Sequence, residues 1–281
     1  MATSDPVAGF FVVKVAVLIT AHPIPEVDAQ VMPKLCPKLD SLLMSSGEVI
    51  RPSTVLPSRR ETFTVRTEDG LTLIGESADP LAPAHATVIT LHPLPTHGGM
   101  MDSHILAKAA NRLPAMAGLR IVRFNTRGTS SALGTSEGSF DHGESERFDV
   151  EAVIRFAKER FPDQPLWVLG WSFGTDLALR YARDPAVKGL ILLSPPLRTS
   201  TESDLEYWAK DGRDLIALIP EFDDFLPPEQ ASKRFASIPQ LTFIAVEGAK
   251  HLWVGEPAVY RVLTEIVRAM HPEALPLPTE M

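Results

Sequence analysis

Cysteine is almost absent from this sequence, because Cys36 is the single one among 281 residues. A chain with one cysteine forms no internal disulfide, and such sparse use of cysteine is typical of a reducing compartment. Long apolar runs are missing as well, since no stretch approaches the roughly 18 uninterrupted apolar residues that a membrane span needs. We therefore expect a cytoplasmic protein without a membrane span.

Basic residues are outnumbered: 27 lysines and arginines stand against 35 aspartates and glutamates, which gives a net charge of −8 and a pI near 5.5. A nucleic-acid-binding protein favours a basic face, so this balance argues against a nucleic-acid partner. The content of 44% hydrophobic and 22% charged residues is that of an ordinary globular protein, and it leaves the oligomeric state open.

The first part of the chain lacks the pattern of a folded domain. Residues 7–21 are apolar but are interrupted by Lys14, and Asp5 stands where a secretory signal peptide carries positive charge. Three interpretations stay open for this stretch: an export signal, a poorly ordered extension or a packed strand. A proline-rich stretch without periodicity follows. We expect residues 1–59 to be an extension, partly disordered or peripheral, and residues 60–281 to form one domain.

From residue 61 onward the pattern changes to alternating strands and helices. Two short β-rich runs flank Asp69 and Gly70, a dipeptide that favours a tight turn, and they predict a hairpin. Short, nearly all-apolar runs, which are typical of parallel strands buried on both faces, predict further strands at 87–91, 120–124, 166–171, 190–193, 215–219 and 241–246.

Helices are predicted between these strands. Apolar residues recur at helical spacing over 150–161 and 259–270, and we also expect helices at 175–182 and 204–210. A hairpin followed by alternating strands and helices predicts an α/β fold, in which a mostly parallel central sheet carries helices on both faces. Because only the helix at 204–210 fits between its two neighbouring strands, no room remains for a large lid domain.

The most informative segment is Gly170-Trp171-Ser172-Phe173-Gly174, which follows an apolar strand and precedes a helix. In a G-x-S-x-G turn a strained backbone exposes the serine hydroxyl, and the glycines let neighbouring backbone pass without a Cβ clash. The helix N-terminus also favours the negative charge of a developing oxyanion. Ser172 is therefore the predicted nucleophile; the alternative is a serine that merely caps the helix.

A serine hydroxyl needs a general base, and proteins with this kind of turn carry first an acid and then a histidine after the serine. His251 follows the last predicted strand and is the predicted base, whereas His271 is expected to cap the last helix. The acid, which holds the imidazole in the right tautomer, should follow the preceding strand. Asp223 is the predicted acid, with Asp224 and Glu221 as alternatives.

Residues 61–270 resemble the α/β-hydrolase superfamily, in particular its small, lidless bacterial serine hydrolases related to dienelactone hydrolases and serine aminopeptidases. The resemblance rests on the loop at 92–102, the loop at 124–128 with its continuation at 136–141, the serine turn, and an aspartate that stands four residues before Pro227. It implies the α/β-hydrolase fold without a large lid.

The same resemblance implies an oxyanion hole made by the backbone N–H groups of Phe173 and Leu94, which would stabilise the charge on the substrate carbonyl oxygen. The sequence departs from the family at Pro220, where the acid turn usually has glycine. Dienelactone hydrolases themselves use a cysteine nucleophile, so the serine at position 172 argues against that specific activity.

Side chains near the predicted catalytic positions are candidates for substrate contacts. Trp171, Trp253 and His97 are the predicted substrate-binding residues, and the alternative for the aromatic residues is a place in the core. Arg127 either pairs with neighbouring loops, which is the favoured role, or binds a substrate carboxylate. No cluster of further ligands accompanies His92 and His97, so we expect hydrogen-bonding roles for them, no metal and no cofactor.

These patterns predict a carboxylesterase-like serine hydrolase. It would cleave an ester, a thioester or an amide of a small-molecule acyl substrate through an acyl-enzyme. Two alternatives stay open: an acyltransferase would use the same residues with an alcohol or amine as acceptor, and a binding module would use the fold without chemistry.

Overall fold

The predicted hairpin begins the central sheet. The computed structural model describes residues 49–281, in which the first two strands pair in antiparallel fashion around Asp69 and Gly70. The apolar stretch at 7–21 lies outside the described residues. The strands are β1 (Arg59–Arg66), β2 (Thr72–Asp79), β3 (Ala86–Leu91), β4 (Leu119–Phe124), β5 (Ser130–Ser131), β6 (Gly134–Thr135), β7 (Leu166–Trp171), β8 (Val187–Leu193), β9 (Asp214–Phe222) and β10 (Leu241–Lys250).

Eight strands form one sheet in the order β1-β2-β4-β3-β7-β8-β9-β10, and β5 pairs with β6. β2 is antiparallel to both β1 and β4, and the other pairs of the large sheet are parallel. Every residue of β3, β4 and β7 is buried, which is the environment that near-continuous apolar strands require. The prediction of a mostly parallel central sheet is confirmed.

Helices cover both faces of this sheet, as predicted. Consecutive residues of β7 alternate between two apolar clusters, so each cluster belongs to one face. Helices α2 to α5 contribute to one cluster, and α1 and α6 contribute to the other. The helices are α1 (His104–Ala117), α2 (Glu146–Arg160), α3 (Phe173–Tyr181), α4 (Glu202–Asp211), α5 (Pro228–Arg234) and α6 (Glu256–Met270).

Helix α1 was not predicted, and it contains a proline, Pro114, in its interior. A proline has no N–H, so it leaves the carbonyl four residues earlier without its helical partner. Here that carbonyl belongs to Ala110, and the guanidinium of Arg60 donates to it over 3.0 Å. A side chain from β1 therefore compensates for the hydrogen bond that the helix lacks.

The described residues before β1 also pack on the domain. Leu56 is buried, and its N–H donates to the carbonyl of Asn111 at 2.9 Å. The guanidinium of Arg112 donates to the carbonyl of Arg51 at 2.8 Å. β1 begins at Arg59, next to the predicted domain start, and the boundary stays a prediction that truncation can test.

The chain between β8 and β9 forms a loop and helix α4. Trp208 of α4 is fully buried, and its Nε1–H donates to the carbonyl of Leu179 in α3 at 2.8 Å. Helix α4 is thus part of the layer that covers the sheet, and within residues 49–281 this connection holds no separate lid domain, as predicted. Over the same residues, every helix is too short or too polar to cross a membrane.

Candidate active site

Ser172 lies in the sharp turn between β7 and α3, at the carboxyl edge of the sheet. Its backbone has φ 52° and ψ −119°, a region that costs a residue with a side chain about 1–3 kcal/mol. The turn is held in place because the Ser172 N–H donates to the carbonyl of Leu193 at 2.9 Å. A Cβ atom at Gly174 would lie 2.2 Å from the carbonyl oxygen of Leu91, so only glycine fits there.

His251 immediately follows β10 and reaches this turn. Its Nε2 lies 2.9 Å from the Oγ of Ser172. The backbone of His251 is fixed as well, because its carbonyl accepts hydrogen bonds from Trp171 Nε1 at 3.2 Å and Ser194 Oγ at 3.1 Å. The other downstream histidine, His271, lies elsewhere, and its Nδ1 donates to the last carbonyl of α1.

Asp223 follows β9 and supports the other side of the His251 ring. Its Oδ2 and Oδ1 lie 2.9 and 3.1 Å from the Nδ1 of His251, and Oδ1 also accepts the N–H groups of Phe225 and Leu226. Burial on its own would raise the pKa of Asp223, but these hydrogen bonds and the charge of His251 outweigh burial and hold that pKa below its usual value. Asp223 is thus placed to act as a carboxylate.

The two alternative carboxylates lie in different environments. Asp224 is exposed on the wall of the cavity described below, and Glu221 accepts the N–H of Gly248 at 2.8 Å. Pro220, the departure from the family pattern, lies inside β9 opposite Val246. The structure therefore brings Asp223, and neither alternative, to the imidazole.

The loop after β3 places Leu94 beside the serine. His92 is buried, its Nδ1–H donates to the carbonyl of Pro93 at 2.7 Å, and its Nε2 accepts the N–H of Thr126 at 3.1 Å. Burial lowers the pKa of His92 to about 4, against the opposing effect of the Pro93 carbonyl. The neutral ring therefore fixes this loop, which agrees with the predicted hydrogen-bonding role of His92.

The two residues predicted to form the oxyanion hole line the same cavity as Ser172. Leu94 and Phe173 both line the cavity, and the N–H of neither donates to an acceptor within residues 49–281. A tight turn presents the first of them, since the N–H of Gly99 returns to the Leu94 carbonyl at 3.0 Å. A Cβ at Gly99 would lie 1.9 Å from the Pro93 oxygen, so this turn also requires glycine.

A cavity of about 960 Å³ adjoins the serine. Apart from the residues already described, its wall is mainly apolar and aromatic. Trp171 and His97 contribute to it, and their contact with substrate stays a prediction. Among the wall residues that the sequence did not indicate are His104, Phe140, Arg198, Phe225 and Leu252.

Trp253 does not reach this cavity. It is fully buried in the apolar cluster that includes α6, whereas its neighbour Leu252 lines the cavity. The reason is a backbone φ of 52° at Trp253, which directs the indole away from the catalytic side of the loop. The expectation that Trp253 contacts substrate is corrected accordingly.

Arg127 also does not reach the cavity wall, because its side chain pairs with carboxylates of the protein. Its guanidinium forms ion pairs with Asp149 at 2.8 Å and Asp69 at 2.9 Å, and the side chain is buried. Arg127 thus connects the hairpin turn to α2, which agrees with the favoured prediction of a loop-pairing role. Within residues 49–281 no group of three histidine, cysteine, aspartate or glutamate side chains is arranged to hold a metal ion.

Comparison with known proteins shows what this fold is similar to. The family model of the alpha/beta hydrolase fold matches residues 86–216, which include the serine turn. These residues are similar to that family, and the chain has the α/β-hydrolase fold.

Two solved structures of serine hydrolases are similar to this chain. An alpha-beta serine hydrolase homologue from Coxiella burnetii is 26% identical, with a TM-score of 0.64 over 75% of this chain and 97% of that one. A serine hydrolase without a lid from Xanthomonas campestris is 27% identical, with a TM-score of 0.63 over 78% of this chain and 99% of that one.

An esterase from Pyrococcus furiosus shares the fold, with 19% identity and a TM-score of 0.59 over 78% of this chain and 99% of that one. No curated protein sequence matches the chain.

Proposed function

We propose that this protein is a serine hydrolase that cleaves an ester, a thioester or an amide of a small-molecule acyl substrate, with Ser172, His251 and Asp223 as its catalytic triad. The observation that carries the proposal is the continuous chain of hydrogen bonds from Ser172 Oγ through the His251 ring to the Asp223 carboxylate. The similarity to serine hydrolases from two bacteria supports it.

The geometry favours proton removal from the serine. Because Asp223 accepts the Nδ1–H of His251, the Nε2 lone pair remains free and points at Ser172 Oγ. As Oγ attacks the substrate carbonyl carbon, Nε2 takes the hydroxyl proton. The resulting imidazolium then gives that proton to the leaving alcohol, thiol or amine, which departs and leaves the acyl group on the serine.

The N–H groups of Leu94 and Phe173 would receive the carbonyl oxygen as it becomes negative. A preorganised donor of this kind lowers the barrier by roughly 3–4 kcal/mol. Water then attacks the acyl-enzyme while His251 accepts one of its protons, and the same proton returns to Ser172 as the acid product leaves. The serine, histidine and aspartate end in the states in which they began.

Replacement of the nucleophile tests this proposal. Ser172→Ala should abolish hydrolysis of a panel of short esters, thioesters and anilides, since the serine contributes chemistry rather than packing. Ser232→Ala, on the exposed surface of α5, serves as the matched control and should retain full activity. Comparable turnover by Ser172→Ala and the wild type, with both purified to homogeneity, would rule the proposal out.

A further inference from the structure

Arg198, on the cavity wall, has no role in the proposed mechanism. Arg198 is the one lysine or arginine among the described residues that line the cavity, and its side chain is exposed there. Its guanidinium forms no ion pair with a carboxylate of residues 49–281 and instead lies over the ring of Phe225, 4.9 Å from the ring centroid. A guanidinium presents paired donors that match a carboxylate.

We propose that Arg198 binds a carboxylate of the substrate, so that this enzyme acts on esters whose acyl or alcohol part carries a negative charge. The inference rests on the proposed hydrolase function and names the substrate class for the same site.

The loop that carries Arg198 is held rigidly. Asp176, at the start of α3, is 1% exposed and accepts the N–H groups of Arg198 at 3.2 Å, Thr199 at 3.4 Å and Ser200 at 2.9 Å. The preceding residue, Leu197, has a φ of 48°, a conformation that a residue with a side chain rarely adopts. This strained turn buries Leu197 in the core and directs the next side chain to the cavity.

Phe225 connects Arg198 to the proposed catalytic residues. The Phe225 ring beneath the guanidinium packs against the His251 ring, with 4.5 Å between the ring centroids. The N–H of Phe225 in turn donates to Asp223 at 2.9 Å. Since one aromatic ring separates the cation from the catalytic imidazole, we expect a preferred spacing between the carboxylate and the scissile bond of the substrate.

Arg198 supplies the one lysine or arginine charge on the described cavity wall of an acidic protein. The chain carries a net charge of −8, which repels anions in general. Two acidic side chains line the cavity among the described residues: Asp176 is already bound by the loop, whereas Asp224 is exposed and its charge repels a substrate carboxylate. Asp224→Asn should therefore strengthen the preference for anionic esters.

Paired substrates that differ only in charge test the inference. Monomethyl succinate, glutarate and adipate are compared with methyl butyrate, valerate and hexanoate, in which a methyl group replaces the carboxylate. O-acetyl lactate and isopropyl acetate provide the same comparison on the alcohol side. Hydrolysis is monitored by pH-stat titration. The measured quantity is the ratio of kcat/KM for each anionic ester to kcat/KM for its neutral partner.

In Arg198→Gln this ratio should fall by about tenfold, the change expected for loss of one charge-assisted hydrogen bond. Arg198→Lys keeps the charge without the paired donors and should fall between the two. Arg147→Gln is the matched control, because Arg147 is an exposed arginine that also lies over a phenylalanine ring but is outside the cavity wall. Its ratio should equal that of the wild type.

The outcomes separate this inference from the proposed function. If the neutral esters are hydrolysed but the ratio of kcat/KM for anionic and neutral esters is the same in wild type and Arg198→Gln, the proposed role of Arg198 is wrong. The hydrolase proposal is then unaffected. If methyl esters react too slowly, the ratio of labelling rates for carboxylate-bearing and neutral phosphonate probes replaces kcat/KM. Absence of both hydrolysis and labelling refutes the hydrolase proposal itself.

Discussion

The substitution Asp223→Asn probes the proposed mechanism with the least change in shape. Oδ1 of Asp223 accepts the N–H groups of Phe225 and Leu226, at 2.9 and 3.1 Å, whereas Oδ2 faces only the Nδ1 of His251. The introduced asparagine side chain keeps its amide oxygen at the Oδ1 position, because an NH2 group there would oppose two N–H donors. The amide NH2 group therefore takes the place of Oδ2.

This orientation inverts the hydrogen bond to the His251 imidazole. The amide then donates to Nδ1 of His251, which moves the ring proton to Nε2 and removes the lone pair that receives the Ser172 proton. A wrong tautomer of this kind lowers kcat by about 10⁴-fold, which corresponds to about 5 kcal/mol of transition-state stabilisation.

The assay is kcat/KM on one ester for wild type, Asp223→Asn and Asp224→Asn, with thermal unfolding of each to show that it is folded. Asp224 is exposed and makes no contact with the imidazole in the described structure, so Asp224→Asn should change the rate on a neutral ester by less than about threefold. A loss below tenfold in Asp223→Asn, or a larger loss in Asp224→Asn, would refute the assignment of the acid.

Four other outcomes are expected. Gly99→Ala should nearly abolish activity, measured as kcat/KM, because its Cβ would lie 1.9 Å from the Pro93 oxygen and displace the proposed oxyanion loop. Burial lowers the pKa of His92 to about 4, so its neutral ring contributes stability that is fully present above the unfolded pKa and is lost as the pH falls through the folded pKa. Between pH 7 and pH 4, the free energy of unfolding measured in urea should therefore fall by about 3 kcal/mol more for the wild type than for His92→Gln. A protein that starts at Val49 should be soluble and active, whereas one that starts at Arg60 loses the contacts of Leu56 and should unfold at a lower temperature. Across acyl esters from acetate to palmitate, kcat/KM should be greatest for short or medium chains and should fall for palmitate. A site without a lid buries little of a long chain, so each methylene gains less than about 0.8 kcal/mol of binding free energy. A steady rise to palmitate would contradict this expectation.

The sheet was predictable from sequence because its signals are local. Apolar runs such as 166–171 are buried strands in the structure, and the turn at Asp69 and Gly70 joins the hairpin. The serine turn was predictable for the same reason, since its glycines are required by backbone atoms within one strand–turn–helix unit or on the neighbouring strand.

Features that depend on distant residues were not predictable. Pro114 disfavours a helix over 104–117 locally, and the donor that compensates for it, Arg60, is far away in the chain. Trp253 was placed at the site because it stands two positions after His251, yet a single backbone angle directs it into the core. No local pattern indicates Arg198, whose direction depends on strain at the preceding residue.

The central claim, that Ser172 is an activated nucleophile, is tested most directly by mapping where a fluorophosphonate reacts. After incubation, digestion and mass spectrometry, we expect one adduct, on the peptide that contains Ser172, with no adduct in Ser172→Ala and much slower labelling in Asp223→Asn. The exposed Ser232, which lies in α5 far along the chain from the serine turn, serves as an internal comparison and should stay unmodified. An adduct at any other residue, or equal labelling of wild type and Ser172→Ala, would contradict the account.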